Sequence, residues 1–214
     1  MRIDLNKDVH ASNNEKALSI HHFLQEKGIT IINLVGSPGS GKTSLLECLI
    51  PYFNKEEIGV IEGDLFTDLD HQRIQQLGIQ SYQLNTNGAC HLEASFLDEA
   101  LASFQYGKMK YLFIDNIGNL VCTASYYLGE DIRIIVTSTT EGNDKPYKYP
   151  KMFYTSDIVV LNKMDLAPYT NFDVKQFDQA ITNINQDIHI IHVSCSQNEN
   201  INQVVKLIKE YQHA

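Results

Sequence analysis

The segment Gly36-Ser37-Pro38-Gly39-Ser40-Gly41-Lys42-Thr43, continued by Ser44, has the G-x-x-x-x-G-K-S/T spacing of a phosphate-binding loop. Each residue type has a physical reason. Gly39 and Gly41 let the backbone turn so that successive N–H groups converge on a phosphate. The N-terminus of the following helix adds partial positive charge. Lys42 is the group expected to reach the β- and γ-phosphates, and the Thr43 hydroxyl the one to bind Mg²⁺. A glycine-rich turn could match the pattern by accident. An apolar strand before it, Ile29 to Val35, and an apolar helix after it, with Leu45, Leu46, Leu49 and Ile50, argue against accident.

A second segment, Asn162-Lys163-Met164-Asp165, follows the apolar run Ile158-Val159-Val160-Leu161 and resembles the guanine-specificity motif of GTPases. A carboxylate at 165 can accept hydrogen bonds from guanine N1–H and from the exocyclic amine. Adenine offers no such pair, so ATP would leave the carboxylate unmatched at a cost of about 1–3 kcal/mol. The Lys163 stem can lie along the base plane, and Asn162 can tie the loop to the phosphate loop. Ser194-Cys195-Ser196, after the last apolar run, stands where GTPases close the base pocket with a Ser-Ala-Lys-like turn. Ser194 fits that pattern, the Cys195 N–H could read guanine O6, and Ser196 replaces the usual lysine.

Two further strand ends deliver carboxylates, Glu62-Gly63-Asp64 and Asp115-Asn116-Ile117-Gly118. Mg²⁺ takes one or two carboxylates with a loop hydroxyl and phosphate oxygens. Asp64 and Asp115 are the candidates, with Thr43, for that role, and with Lys42 for catalysis. Asp64 could instead cap the next helix, as could Thr67 or Asp68. The Gly118 N–H is placed to sense a γ-phosphate. Beyond it lies Cys122, and Cys90-His91 occupies another loop. Cys90, His91 and Cys122 form a donor set suited to Ni²⁺, Zn²⁺ or Cu⁺. The same residues read equally as two small buried hydrophobes and a helix N-terminal residue. Cys48 is assigned to the core. His10, His21, His22, His189, His192 and His213 suggest no cluster.

These residues need strands that end on one edge. The chain has 214 residues, 43% hydrophobic and 20% charged, with 17 basic and 26 acidic side chains. This is the composition of a folded domain, and its acidic balance argues against a general nucleic-acid binder, since such proteins carry a basic face. No apolar run reaches the ~18–20 residues of a membrane span. Without a leader or a CxxC pair, the expected setting is the cytoplasm. Strands are expected near 29–35, 58–62, 80–84, 110–115, 132–138, 157–162 and 188–193. Helices are expected near 42–52, 68–77, 91–105, 145–155, 173–185 and 200–212. Residues 1–12 are polar and expected to be mobile, with Asn13 or Asn14 capping a helix to Lys27 whose apolar side is Leu18, Phe23 and Leu24. The alternation implies an α/β fold, a mostly parallel central sheet with helices on both faces. The division expected is an N-terminal extension and helix, 1–29, and a P-loop domain, 30–214.

Gly36–Thr43, Glu62-Gly63-Asp64, Asn85-Thr86-Asn87-Gly88-Ala89-Cys90-His91-Leu92, Asn116-Ile117-Gly118-Asn119-Leu120-Val121-Cys122, Thr140–Pro146 with Lys148-Tyr149-Pro150, and Asn162–Leu166 occur in one order. That order resembles the HypB family, the nickel-inserting GTPases of nickel–iron hydrogenase maturation. The related UreG proteins carry a Cys-Pro-His motif that is absent here. The resemblance implies a SIMIBI-class G domain that hydrolyses GTP with Mg²⁺ and forms a homodimer when GTP is bound. It implies that Cys90, His91 and Cys122 hold Ni²⁺ or Zn²⁺ at the dimer interface. Its implied partners are a HypA-like zinc protein and the hydrogenase large-subunit precursor, with no nucleic acid and no membrane. Asp115 replaces the usual Glu, and Thr123 the usual Pro. The competing reading is a P-loop kinase that phosphorylates a small metabolite. No arginine finger is evident among Arg2, Arg73 and Arg133.

Overall fold

In the computed structural model, residues 5–64, 69–85 and 88–212 are described, without the side chains of 5–9, 64, 69 and 70. Seven strands make one sheet: β1 Thr30–Gly36, β2 Ile58–Asp64, β3 Gln80–Asn85, β4 Tyr111–Asp115, β5 Ile132–Ser138, β6 Ile158–Asn162 and β7 His189–His192. Their order is β3-β2-β4-β1-β5-β6-β7, and every pairing is parallel. The phosphate-loop strand β1 is central, and all seven of its residues are buried. A strand covered on both faces must be apolar throughout, which is why Ile29 to Val35 reads as a nearly unbroken β-branched run.

Among the described residues eight α-helices flank the sheet: α1 Leu5–Glu26, α2 Lys42–Leu49, α3 Leu69–Gln75, α4 Ala94–Leu101, α5 Lys145–Lys148, α6 Pro150–Tyr154, α7 Val174–Ile184 and α8 Ile201–Gln212. Side chains alternate along β1, so Ile32 and Leu34 face one layer, with Leu45 and Leu49 of α2, Ile74 of α3 and Val204 and Ile208 of α8. The opposite layer is split. Ile31 packs with Ala17, Ile20 and Leu24 of α1 and Leu97 and Leu101 of α4. Val35 packs with Phe153 of α6 and Phe177 of α7. Each buried aliphatic or aromatic side chain contributes about 1.5–3 kcal/mol.

Every expected strand is present within one or two residues. The helices differ more. The helix expected from Asn13 or Asn14 already runs from Leu5, so the described part of residues 1–12 is helical. Asn13 sits inside that helix and works for another: its Oδ1 accepts the Ala94 N–H that opens α4, at 2.9 Å, and its Nδ2 donates to Tyr127 O, at 2.8 Å. The apolar side of α1 is Ala17, Ile20 and Leu24, whereas Leu18 and Phe23 point outward, 49% and 41% exposed. Phe23 meets Tyr106 edge-on instead. The helix expected over 91–105 is confined to Ala94–Leu101, leaving Cys90-His91 in a loop. The helix expected over 145–155 breaks at Tyr149, because Pro150 has no N–H to continue it. Among the described residues no helix is long and apolar enough to cross a membrane.

Candidate functional site

The phosphate loop leaves β1 at the carboxyl edge of the sheet, where ligands of open α/β sheets bind. Gly39 and Gly41 have φ of 75° and 98°, a left-handed backbone that costs little only without a Cβ. A Cβ on Gly41 would also lie 2.3 Å from Asn162 Nδ2. The loop bounds a cleft of about 450 Å³. Pro38, Gly39, Gly41, Lys42, Thr43 and Ser44 line it on one side, and Asp115 to Gly118 on the other. Gly36 and Ser40 are buried, and Ser37 faces a neighbouring depression with Lys145 Nζ 3.2 Å from its hydroxyl. The Ser40 hydroxyl is fully buried and has no hydrogen-bond partner among the described residues. An unpaired buried hydroxyl on a phosphate-loop residue fits an anionic ligand at this loop.

The Thr43 hydroxyl donates to Asp115 Oδ2 at 2.8 Å, and Asp115 is only 6% exposed. Glu62 of β2 pairs in register with Asp115 of β4, lines the same cleft, and has His71 Nδ1 2.9 Å from its Oε1. A half-buried hydroxyl with carboxylates beside a phosphate cleft is a donor set for Mg²⁺, a hard cation. Asp64 ends β2 on the same edge, and its side chain lies outside the described residues. Glu62 and Arg73 are cleft residues that sequence reasoning passed over. Arg73 pairs with Glu47 and reaches Ser44 Oγ at 3.4 Å. The signal available for Glu62 was the Glu-Gly-Asp spacing, whose outer residues face the same side of a strand.

At the base end, Asn162 is a hub. Its Nδ2 donates to Ser40 O at 3.2 Å, and its Oδ1 accepts from Lys163 N at 2.7 Å and Cys195 N at 3.2 Å. The Cys195 N–H is therefore directed at Asn162 rather than toward a base. Lys163, with a left-handed φ of 59°, extends Nζ to Gly39 O at 2.7 Å. Ser194 Oγ donates to Asp165 Oδ1 at 2.6 Å and holds that carboxyl below the usual carboxylate range. Burial pushes the Cys195 thiol up to about 12, so it stays neutral against Cys48.

The third cluster lies where two loops converge. Cys90, His91 and Cys122 come together, with one ligand atom from each within 4.8 Å of the others. Cys90 Sγ lies 2.9 Å from Cys122 Sγ and 3.4 Å from His91 Nδ1. All four cysteines are free, and Cys90 is exposed, so it is not a core residue. Burial holds the His91 imidazole below its ordinary pKa, which keeps it neutral and able to ligate near pH 7. The other ring nitrogen, Nε2, is buried without a hydrogen-bond partner, with Glu93 Oε1 3.5 Å away. Metal-bound imidazoles commonly face a carboxylate on that side. Two thiols and a neutral imidazole fit a borderline or soft divalent ion. His10, which sequence reasoning left unclustered, reaches this region: its ring lies 4.7 Å from that of Tyr126, which stacks on His91 at 3.7 Å. The loop joining the two sites is short. A Cβ on Gly118 would lie 2.9 Å from Pro38 N, so this position abuts the phosphate loop, and Cys122 follows four residues later.

Residues 30–192 match the family described as CobW/HypB/UreG, nucleotide-binding domain. The "Hydrogenase/urease maturation factor HypB" of Helicobacter hepaticus is 39% identical over 94% of this chain and 84% of its own length. The "Hydrogenase maturation factor HypB" of Escherichia coli K12 is 41% identical over 94% of this chain and 70% of its own. Among solved structures, HypB from Helicobacter pylori in complex with nickel superposes with a TM-score of 0.90 and 34% identity, covering 94% of this chain and 95% of that one. HypB from Archaeoglobus fulgidus gives 0.88 and 30%, covering 94% and 99%. The nucleotide cleft, the parallel sheet and these likenesses together place the chain in the CobW/HypB/UreG family of nucleotide-binding proteins, within its HypB members.

Proposed function

We propose that this chain is a hydrogenase maturation factor that hydrolyses GTP and uses the nucleotide state to control a nickel-carrying thiol–imidazole site. The observation that carries the reading is the spacing between two sites: Gly118 against Pro38, and Cys122 four residues along the same loop. A nucleotide that repositions Gly118 shifts Cys122 relative to Cys90 and His91. Lys42 and the loop N–H groups stabilise charge on the phosphates. Thr43, Asp115 and Asp64 are the residues assigned to hold Mg²⁺, which supplies charge neutralisation at the transferring phosphate. Asp165 selects guanine, with Ser194 fixing its orientation, and the Asn162 loop favours a GTPase over a metabolite kinase. Turnover is slow in this reading, because Arg73 is engaged by Glu47.

Two copies pairing across the exposed Cys90 face would pool six ligands near a two-fold axis. GTP promotes that homodimer in this reading, and nickel, with zinc as the competing ion, is the cargo. Delivery runs from a HypA-like zinc protein to the hydrogenase large-subunit precursor, in the cytoplasm. The test is a Ni²⁺ titration of GDP-bound and GTP-analogue-bound protein, with sedimentation of both and phosphate release measured without any acceptor. The expected result is a 5- to 150-fold difference in nickel affinity, the usual range of coupling between sites. Equal affinities with an unchanged oligomeric state would overturn the reading, and phosphate transfer only to an added metabolite would favour a kinase.

A further inference from the structure

The face of the sheet that carries α1, α4, α6 and α7 holds two apolar half-cores, and a polar chain is buried along the seam between them. Asn33 of β1 stands between Ile31 of one half and Val35 of the other, fully buried. Its Oδ1 accepts from Asn116 Nδ2 at 3.2 Å, and its Nδ2 donates to Glu130 Oε1 at 3.2 Å. Glu130 Oε1 accepts from Arg133 Nε at 2.7 Å and from its NH2 group, while Glu130 Oε2 accepts from Leu128 N at 2.8 Å. Arg133 NH2 then donates to Tyr126 O at 3.2 Å. Arg133 and Glu130 are 6% and 8% exposed. An ion pair this deep is weak evidence for stability, because apolar residues of like volume often serve as well. Its placement is informative. One end, Asn116, accepts the Ile117 N–H of the cleft-lining loop at 2.8 Å. The other end, Tyr126, stacks on the His91 ring with centroids 3.7 Å apart and planes at 26°.

We propose that Tyr126 positions His91 in the thiol–imidazole cluster, and that the Asn116–Asn33–Glu130–Arg133 seam fixes Tyr126 according to the state of the phosphate-facing loop. This rests on the nucleotide–metal reading above and adds a through-core route to the direct path from Gly118 to Cys122. The physical reason is burial. In a low-dielectric seam a donor cannot be left unpaired without the full cost of its desolvation, so a shift at Asn116 is passed on rather than absorbed. At the far end a face-stacked ring restricts imidazole rotation, and so sets which way Nδ1 points.

The test measures Ni²⁺ binding by thiolate charge-transfer absorption and the Co²⁺ ligand-field spectrum, each with GDP and with a non-hydrolysable GTP analogue. Tyr126→Leu removes the ring face and should weaken metal binding about tenfold in both nucleotide states, with altered Co²⁺ bands. Tyr126→Phe keeps the ring and should match the unaltered protein. Asn33→Leu touches neither ligand. It should leave metal affinity in the GDP state within about twofold and bring the ratio between nucleotide states close to one. Arg133→Lys, which keeps a positive charge beside Glu130 but loses the NH2 bond to Tyr126 O, should do the same and serves if Asn33→Leu melts early. Unaltered affinity and spectra in Tyr126→Leu overturn the positioning role. An unchanged ratio in Asn33→Leu or Arg133→Lys overturns the seam alone, whereas a ratio of one in the unaltered protein removes the nucleotide–metal reading and the seam with it.

Discussion

The phosphate-and-base end and the thiol–imidazole end lie on the same edge of the sheet but are held differently. At the first, the groups that would meet a nucleotide are already oriented by buried partners: Thr43 by Asp115, Asp165 by Ser194, and three groups by Asn162. At the second, Cys90 is exposed, His91 is held by the Tyr126 ring face and by Cys90, itself a member of the cluster, and the loop between Gly118 and Cys122 is braced within itself by Asn119. A preformed site spends little on ordering when its ligand arrives. A loosely braced one changes affinity when its surroundings change, which suits a carrier that must release its cargo.

That contrast can be broken most severely at Lys42. Lys42→Ala should lower phosphate release by at least about 10²- to 10³-fold, because it removes a charge aimed at the developing phosphate charge. Circular dichroism should be unchanged and nickel affinity with GDP should hold; a joint loss of both sites would mean they are not separable. Asp165→Asn should weaken GTP by about 1–3 kcal/mol, roughly 5- to 150-fold. It should shift preference to xanthosine triphosphate, whose C2 oxygen accepts the new amide donor. Calorimetry with the two nucleotides checks this, and retained GTP affinity would remove Asp165 from the base site.

Gly118→Ala sharpens the comparison at its hinge. The new Cβ would lie 2.9 Å from Pro38 N and 3.0 Å from its Cα, so the loop must retreat, at about 1–3 kcal/mol. The nickel affinity ratio between nucleotide states should fall more than either affinity alone. The smallest effect concerns pH. Ser194 donates to Asp165 and holds its pKa below the ordinary value, so this carboxylate stays ionised near neutrality and adds no limb there to GTP binding. Ser194→Ala lets that pKa rise. The acid limb of GTP binding should then move to higher pH, with little change at neutrality. An unmoved limb would show that Ser194 does not set this carboxylate.

The strands were readable because a sheet buried on both faces demands apolar runs, and the phosphate loop because its spacing is imposed by the ligand. The start of α1 was not readable. Asn13 has the residue type of an N-cap, but the N–H it satisfies belongs to Ala94, and no local pattern announces a partner so distant in sequence. The same limit applies to Cys90, His91 and Cys122, whose ligand atoms meet only because two loops share an edge. It applies also to Leu18 and Phe23, placed outward because Ala17, Ile20 and Leu24 fit α4 better. Glu62 was overlooked in favour of Asp64, since register with Asp115 appears only when the sheet is assembled.

The family match begins at residue 30, yet the double contact of Asn13 gives that boundary a practical meaning. A shortened chain starting at β1 would retain every nucleotide residue named above. It would also strip Ala17, Ile20 and Leu24 from Leu97, Leu101 and Leu128, opening a greasy trench along α4. The first N–H of α4 would lose its acceptor, and Tyr127, one residue past the ring that covers His91, would lose its tether. Such a fragment would be a poor minimal domain for crystallisation or screening: prone to stick to itself, and most altered at the thiol loops rather than at the nucleotide. Tags and fusions therefore belong ahead of α1, with the helix itself left whole.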